Sequence, residues 1–374
     1  MRILYGVVGE GMGHATRSKV IIEHLVKEAR HEVEIVVSGR AHGFLTRAFP
    51  SLKVHEIAGL SMIYANNKVS KFRTALQFIK SIPAFTENMD LMDRMREGFR
   101  PELCIADFES FAYQYARQHR LPVLSIDNMQ IINRCKHRGQ VELPESVRTS
   151  YRLAKEIVRA KLPRCDHYLI TTFFFPPIRK KRTSLYPPIL RDGILDAKAT
   201  ATVGDHVLVY QTSDSFHDLV PTLQKLPTRF IVYGLKKNAE LGNVTLKEFS
   251  ETGFVDDLKT ARAVLAGGGF SLMGEAVYLG KPLLSVPLEG QFEQTLNALY
   301  LEKLGYGEYH HQLSGEGIAK FLDNVDRYAE KLTHYRQDRN HLILASLDEL
   351  IEEIGLKGRL VDVEKEEESD DEIF

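Results

Sequence analysis

Ala266-Gly267-Gly268-Gly269-Phe270-Ser271-Leu272-Met273-Gly274-Glu275-Ala276, running on to Gly280-Lys281-Pro282-Leu283-Leu284-Ser285-Val286-Pro287, decides the architecture of this chain. An apolar run, Ala263-Val264-Leu265-Ala266, leads into it, and Glu289-Gly290-Gln291-Phe292-Glu293-Gln294-Thr295-Leu296-Asn297-Ala298 follows. The order reads as buried strand, glycine loop, helix, second apolar strand and polar loop, a unit of parallel α/β layering. A glycine loop that opens a helix aims bare N–H groups and the positive helix end at one point, which suits a phosphate. Glu275 lies four residues past Ser271, on the same helix face one turn along. A carboxylate there reaches past phosphates to a sugar's hydroxyl pair, and Glu293-Gln294 offers polar groups beyond. Phosphate, diol and second sugar is the order of groups in a nucleotide sugar.

Working outward, apolar strands alternate with helical stretches on both sides. Strands are predicted at 3–8, 33–37, 53–57, 103–106, 123–126 and 167–170, with a helix over 16–29 and a long helical region over 68–99. The rhythm breaks between Phe175-Pro176-Pro177 and Leu185-Tyr186-Pro187-Pro188, where prolines and Arg179-Lys180-Lys181-Arg182 suggest a linker. A second series follows at 206–210, 229–233, 244–246, 263–266 and 283–286, with helices over 292–304 and, in more than one piece, 315–353. The expected fold is α/β, with two Rossmann-like parallel-sheet domains facing each other across a cleft at their strand ends. The expected division is 1–178, a linker over 179–204, a second domain over 205–345, a helix end over 346–357 and an acidic disordered tail over 358–374.

The chain has 374 residues, 44% hydrophobic and 26% charged, enough for two domains with their own cores. Cys104, Cys135 and Cys165 show neither pairing nor metal-like spacing, which fits the reduced cytosol. No secretory core or membrane-length apolar run is present, so a cytoplasmic placement is expected. The formal net charge of −1 conceals eight acids and one lysine in 362–374, leaving +6 on the body. Such a tail solubilises, or competes with anionic partners. Two basic runs, Arg134-Cys135-Lys136-His137-Arg138 and Arg179-Lys180-Lys181-Arg182, suit an anionic lipid or phosphorylated acceptor at the inner face of a membrane, and equally a solvated linker. They lack interleaved aromatics, which argues against nucleic acid as a partner.

After the first strand comes Gly9-Glu10-Gly11-Met12-Gly13-His14-Ala15-Thr16-Arg17-Ser18. The dinucleotide fingerprint needs glycine where His14 stands, and the second strand ends in Ser38-Gly39-Arg40 without a ribose-binding acid. A histidine at the mouth of such a loop can take a proton from a hydroxyl near neutral pH, or it can be structural. Asp107 ends a strand at the same sheet edge. It either orients that imidazole or caps a helix beginning near Ser110.

Together these residues resemble the GT-B-fold glycosyltransferases, the superfamily of the bacterial lipid-linked N-acetylglucosaminyltransferase of peptidoglycan synthesis and the UDP-glucuronosyl/glucosyltransferases. The resemblance spans roughly 1–355 and is concentrated in the second half. It implies that Gly268, Gly269 and Ser271 hold a diphosphate and Glu275 the ribose hydroxyls. It also implies that Glu293 and Gln294 touch the donor sugar, while Phe254 and Val255, in Phe254-Val255-Asp256-Asp257-Leu258, read the base. Thr212 and Ser213 match a loop that adds phosphate donors. Gly11 and Gly13 form the acceptor-side loop, with His14 as base and Asp107 as its partner. Ala266 departs from the pattern, since many relatives carry histidine there, so one phosphate contact falls to backbone or a basic side chain.

The implied reaction is inverting, metal-independent hexosyl transfer from a nucleoside-diphosphate sugar, UDP-linked first, to a hydroxyl acceptor of lipid-linked or cell-envelope type. The nucleotide sugar is a co-substrate and no cofactor is expected. The apolar residues of 68–99 either face such an acceptor at a membrane surface or form ordinary core. Two rivals remain open: a sugar-nucleotide epimerase of the same fold, which needs no acceptor, and a non-catalytic nucleotide-sugar-binding protein.

Overall fold

A computed structural model describes residues 1–9, 11–57, 64–65, 68–69, 82–211 and 218–360. In chain order the first half carries β1 (Arg2–Val7), β2 (Glu32–Val37), β3 (Val54–Glu56), the antiparallel pair β4 (Tyr64–Ala65) and β5 (Lys68–Val69), β6 (Leu103–Asp107), β7 (Val123–Asp127), β8 (His167–Thr171) and β9 (Thr183–Tyr186). Seven of them form a parallel sheet in the order β3-β2-β1-β6-β7-β8-β9. The second half carries β10 (His206–Tyr210), β11 (Arg229–Tyr233), β12 (Ala239–Leu241), β13 (Val244–Lys247), β14 (Ala263–Ala266), β15 (Leu283–Ser285) and β16 (Gly307–Tyr309). Their order is β12-β13-β11-β10-β14-β15-β16, and only the β12–β13 pairing is antiparallel. Central strands such as β1 and β6 are near-continuously apolar because helices cover both sheet faces.

The stretch expected to be a linker is largely part of the domains. Thr183–Tyr186 pairs in parallel with β8 as the edge strand of the first sheet. An edge strand needs hydrogen bonds on one side only, and Pro187-Pro188 follow it without interrupting it. The helix Asp192–Ala197 buries Ile194 and Leu195 in an apolar cluster that also contains second-half residues such as Phe270 and Leu258. The helix His341–Lys357 crosses back. Its Ile343, Leu347, Ile351 and Ile354 pack with Ile3, Tyr5, Ile21 and Leu25 of the first half, and Asp348 meets His24 Nε2 at 2.9 Å. Residues 341–345 therefore belong with the first domain's cover rather than with the second domain.

The two crossings lie side by side. Asn340 accepts from the Leu190 N–H at 2.9 Å and donates to the Leu190 carbonyl at 2.7 Å, while Gln337 donates to the Pro188 carbonyl at 3.0 Å. Asn340 sits at φ 70°, the left-handed region that asparagine tolerates. Of the helical region expected over 68–99, the helix Ile82–Glu97 is present, and Lys68–Val69 is strand instead. Leu91, Met92 and Met95 are core, Met89 is exposed, and residues 70–81 lie outside the described residues. So does 361–374, most of the expected acidic tail.

Candidate active site

In each sheet the strand order reverses beside one strand: between β1 and β6, and between β10 and β14. Val7 pairs with Asp107 in the first sheet and Tyr210 with Ala266 in the second. Crevices at such switch points are where open α/β sheets receive ligands. Both glycine loops leave strands at these points, and they meet: a Cβ on Gly13 would collide with Ser271 Oγ.

His14 lies in the first turn of the helix Met12–Lys27, whose N-cap is Gly11 at φ 83°, with neither a side-chain cap nor an acid in its first turn. His14 Nδ1 stands 2.8 Å from Asp107 Oδ1. Asp107 is fully buried and also accepts from Arg17 Nε at 2.8 Å, from Arg17 Nη2 at 2.5 Å and from Ser18 Oγ at 2.8 Å. Arg17 Nη2 also stands 2.6 Å from His14 Nδ1, so Asp107 Oδ1, Arg17 Nη2 and His14 Nδ1 form one close triangle in which the carboxylate is the acceptor for arginine and the role of Nδ1 depends on the ring's tautomer. The competing reading of Asp107 as a helix cap is overturned. Glu109 caps the helix Ser110–His119, accepting from the N–H groups of Phe111 at 2.7 Å and Ala112 at 2.8 Å.

Burial opposes ionisation of Asp107, yet Arg17 and His14 hold its carboxyl well below the usual carboxylate range. Burial, and then the Arg17 charge, push the His14 ring below its ordinary value against the pull of Asp107. The imidazole is therefore neutral at pH 7, with a lone pair available.

On the opposite side, Gly268 has φ 99°, and a Cβ there would sit 3.0 Å from both the Gln294 carbonyl and Ser285 Oγ. Asn297 Nδ2 donates to the Gly268 carbonyl at 3.1 Å and pins the loop. Gly269 is exposed with open space before it, and the helix Phe270–Leu279 starts there without a side-chain cap or first-turn acid. Ser271, in its first turn, is half-buried. Glu275 is buried and accepts from Arg191 Nε at 2.9 Å and Nη2 at 3.1 Å; Arg191 Nη1 also reaches Glu251 at 3.0 Å. Burial pushes the Glu275 carboxyl up and Arg191 pulls it back. A carboxylate has about four lone-pair sites, so the guanidinium fork leaves acceptor capacity for a diol.

Phe254 is buried edge-on against Tyr210 and Tyr233, at centroid distances of 5.5 and 5.1 Å, and Val255 beside it is half-buried. Glu293 Oε1 accepts from Asn128 Nδ2 at 2.5 Å, and burial pushes its carboxyl up. Gln294 folds back on its own loop, accepting from the Leu288 N–H at 3.0 Å and donating to Gln291 at 2.7 Å. Thr212 and Ser213 lie outside the described residues. Sequence reasoning gave no role to Arg17, although it lies in the stretch after the first strand, or to Asn297, although it lies in the run after the second glycine loop, and it missed Asn128 and Arg191, which belong to neither stretch.

The basic runs are divided: Lys136, Arg138 and Lys181 are exposed and Arg179 and Arg182 half-buried, while Arg134, His137 and Lys180 turn inward. Arg134 stacks 3.6 Å over the Tyr168 ring and donates to Thr183 Oγ1 at 2.7 Å. Lys180 is buried and donates to Asn133 at 3.1 Å. His137 is buried between the Ile131 carbonyl at 3.0 Å and Tyr300 at 2.9 Å, across the two halves. Among the described residues no group of three His, Cys, Asp or Glu side chains gathers in a metal-binding arrangement, and no helix is long and apolar enough to cross a membrane.

The model of glycosyl transferase family 1 matches residues 1–326. The chain belongs to this family. Two relatives, each named an uncharacterized glycosyltransferase, come from Methanosarcina mazei and Methanosarcina acetivorans. Each is 25% identical, over 337 and 345 residues respectively, covering 82% of this chain and 85% of the relative. Among solved structures, LpCGTa in complex with UDP matches with TM-score 0.64 at 14% identity, over 95% of this chain and 99% of that one. A UDP-glucosyltransferase from Polygonum tinctorium matches with TM-score 0.63 at 14% identity, over 93% and 98%. At these identities the likeness concerns fold: this glycosyltransferase has the two-domain GT-B architecture.

Proposed function

We propose that this glycosyltransferase moves a hexosyl group from a UDP-sugar to a hydroxyl acceptor with inversion, His14 accepting the proton. The observation that carries the reading is the convergence of the two switch points. The loop that carries His14, paired with Asp107, meets the loop that opens the uncapped helix at Gly269 through the Gly13–Ser271 approach; the role of base requires the Nδ1–H tautomer, with Nε2 free to take the proton. The acceptor oxygen bonds to the anomeric carbon as the bond to the diphosphate oxygen breaks. Its proton passes to Nε2, and UDP departs with the developing charge on the N–H groups of the helix Phe270–Leu279. Backbone donors in that role require no metal or cofactor.

Gly268, Gly269 and Ser271 take the diphosphate, helped by Thr212 and Ser213, and Glu275 takes the ribose. Phe254 and Val255 border the base. Glu293 takes the sugar, while Gln294 shapes the loop beside it. The UDP in a structural relative supports the choice of nucleotide. A lipid-linked acceptor at a membrane face draws on only part of the basic runs, since Arg134, His137 and Lys180 are buried while Lys136, Arg138 and Lys181 are exposed. Its support is the exposed Met89 and Leu153, the latter next to the exposed Arg152 on the helix Arg148–Lys161.

Calorimetric titration with UDP, GDP, dTDP and NAD tests the donor site. UDP binding without NAD is expected, and tight NAD binding or failure of every diphosphate overturns the reading. His14→Ala is expected to keep UDP affinity while cutting sugar transfer by about 10²–10⁴-fold. UDP-sugar turnover that needs no acceptor and survives in His14→Ala would point to an epimerase instead.

A further inference from the structure

Asp107 is held by more than His14. Arg17, one turn along the same helix, is buried with its Nε on Asp107 Oδ2 and its Nη2 on Oδ1, so the fork grips both carboxylate oxygens. Its remaining nitrogen, Nη1, donates to Asn128 Oδ1 at 2.5 Å just beyond β7, and Asn128 Nδ2 donates to Glu293 in the opposite domain at 2.5 Å. One unbroken hydrogen-bonded chain therefore runs from Glu293 through Asn128, Arg17 and Asp107 to His14, and Arg17 Nη2 also stands 2.6 Å from His14 Nδ1 itself.

Resting on the proposed role of His14 as base, we propose that Arg17 is the positioning residue of the His14–Asp107 pair, its guanidinium fixing the carboxylate that orients the ring and being fixed in turn from the other side of the cleft through Asn128. Three physical consequences follow. A fully buried carboxylate gains a counter-charge it could not do without. The planar fork allows one carboxylate orientation, which a lysine's point charge does not. The pair carries no net charge, so His14 is not drawn toward the imidazolium that a lone aspartate would favour.

The charged and titratable groups bearing on His14 are Arg17 on its own helix, Asp107 on β6 and Lys161 on the helix Arg148–Lys161; Asp127 and Glu293 lie behind Arg17. Of these only Arg17 grips Asp107 with two nitrogens. Burial and Arg17 lower the affinity of His14 for its second proton, while Asp107 raises it. Removing Arg17 leaves Asp107 to act alone.

The test follows the His14 ring by NMR on histidine-labelled full-length protein, its signal assigned by its disappearance in His14→Gln. The wild type is expected to titrate below 6.5 in the Nδ1–H tautomer. Arg17→Gln is expected to titrate higher by about 1–3 units, with Arg17→Lys between the two. In Arg17→Gln the sugar-transfer rate lost at pH 7 returns as the pH is raised past the new value. Should Arg17→Gln fail to fold, Arg17→Lys carries the comparison. A His14 titration that is the same in wild type and Arg17→Lys, or a wild-type ring in the Nε2–H tautomer, overturns the proposal. UDP titrations on the same samples keep the outcomes apart. Loss of UDP binding in the wild type defeats the transferase reading, while the His14 titration still reports on Arg17.

Discussion

Replacing Glu275 with alanine separates a ribose-binding carboxylate from a structural one. In the folded protein Glu275 is buried, with both oxygens on the Arg191 guanidinium. Removing one partner of a buried pair costs about 3–5 kcal/mol. Arg191 keeps Glu251, whose side chain is 53% exposed, which places the expected loss near the low end, about 3 kcal/mol. If the ribose diol also donates to this carboxylate, each bond to the charged acceptor is worth about 1.5–3 kcal/mol. UDP should then bind about 10–100-fold more weakly for each such bond lost. Glu275→Gln keeps the shape without the charge and should fall between. Urea midpoints measure the first effect and calorimetric UDP titration the second. If both variants are destabilised yet bind UDP as the wild type does, Glu275 serves Arg191 alone and the donor-site assignment is wrong.

Gly13→Ala should leave stability within about 1 kcal/mol, since alanine favours a helix. The new methyl group meets Ser271 Oγ and should cut UDP-sugar turnover at least tenfold; unchanged turnover would mean the two loops need not approach. His137, held by burial to a pKa of about 4, refuses a proton that the unfolded chain takes up below 6.5. Stability should therefore fall as pH drops from 6.5 to 4, by about 3 kcal/mol at 1.36 kcal/mol per unit. Urea midpoints against pH should be flatter for His137→Gln by that amount, and parallel curves would refute it. Asn340→Ala strips partners from the Leu190 N–H and carbonyl, each costing about 1–3 kcal/mol, and places alanine at positive φ for about 1 more. Asn340→Gly, which escapes the backbone term, should recover that last part of the lost thermal stability.

The α/β order and both glycine loops were legible because each loop directly follows a continuous apolar run, a local signal. The meeting of His14 and Asp107 was legible as well, since one opens the helix after β1 and the other ends β6, the neighbouring strand of the same sheet. Whether Asp107 or another residue capped the next helix was not: Glu109, two positions on, captures the Phe111 and Ala112 N–H groups. Arg17, Asn128 and Arg191 stayed hidden because their partners lie 90, 111 and 84 residues away, and their residue types are ordinary on solvated surfaces. The edge strand Thr183–Tyr186 was obscured by the prolines and charges flanking it. Part of each basic run turned inward for a related reason. An arginine can lay its guanidinium on a ring and send its hydrogen bonds to backbone, as Arg134 does, so a run of charge in sequence need not become charge at the surface.

The helix His341–Lys357 gives the molecule an unusual order of assembly. The first core needs Ile343, Leu347, Ile351 and Ile354, so the half synthesised first is finished only after the other half has been made. At about 5–20 residues per second, the intervening stretch of about 150 residues takes about 8–30 s to emerge. Throughout that interval the nascent first sheet lacks one of its covers, with apolar faces of Ile21 and Leu25 awaiting the later helix. The second domain, whose strands and helices are contiguous from β10 to the helix Val325–Leu332, carries no such dependence. Birth order and completion order are therefore reversed, and the ribosome-bound chain passes through a state in which its older half is the one in need of protection.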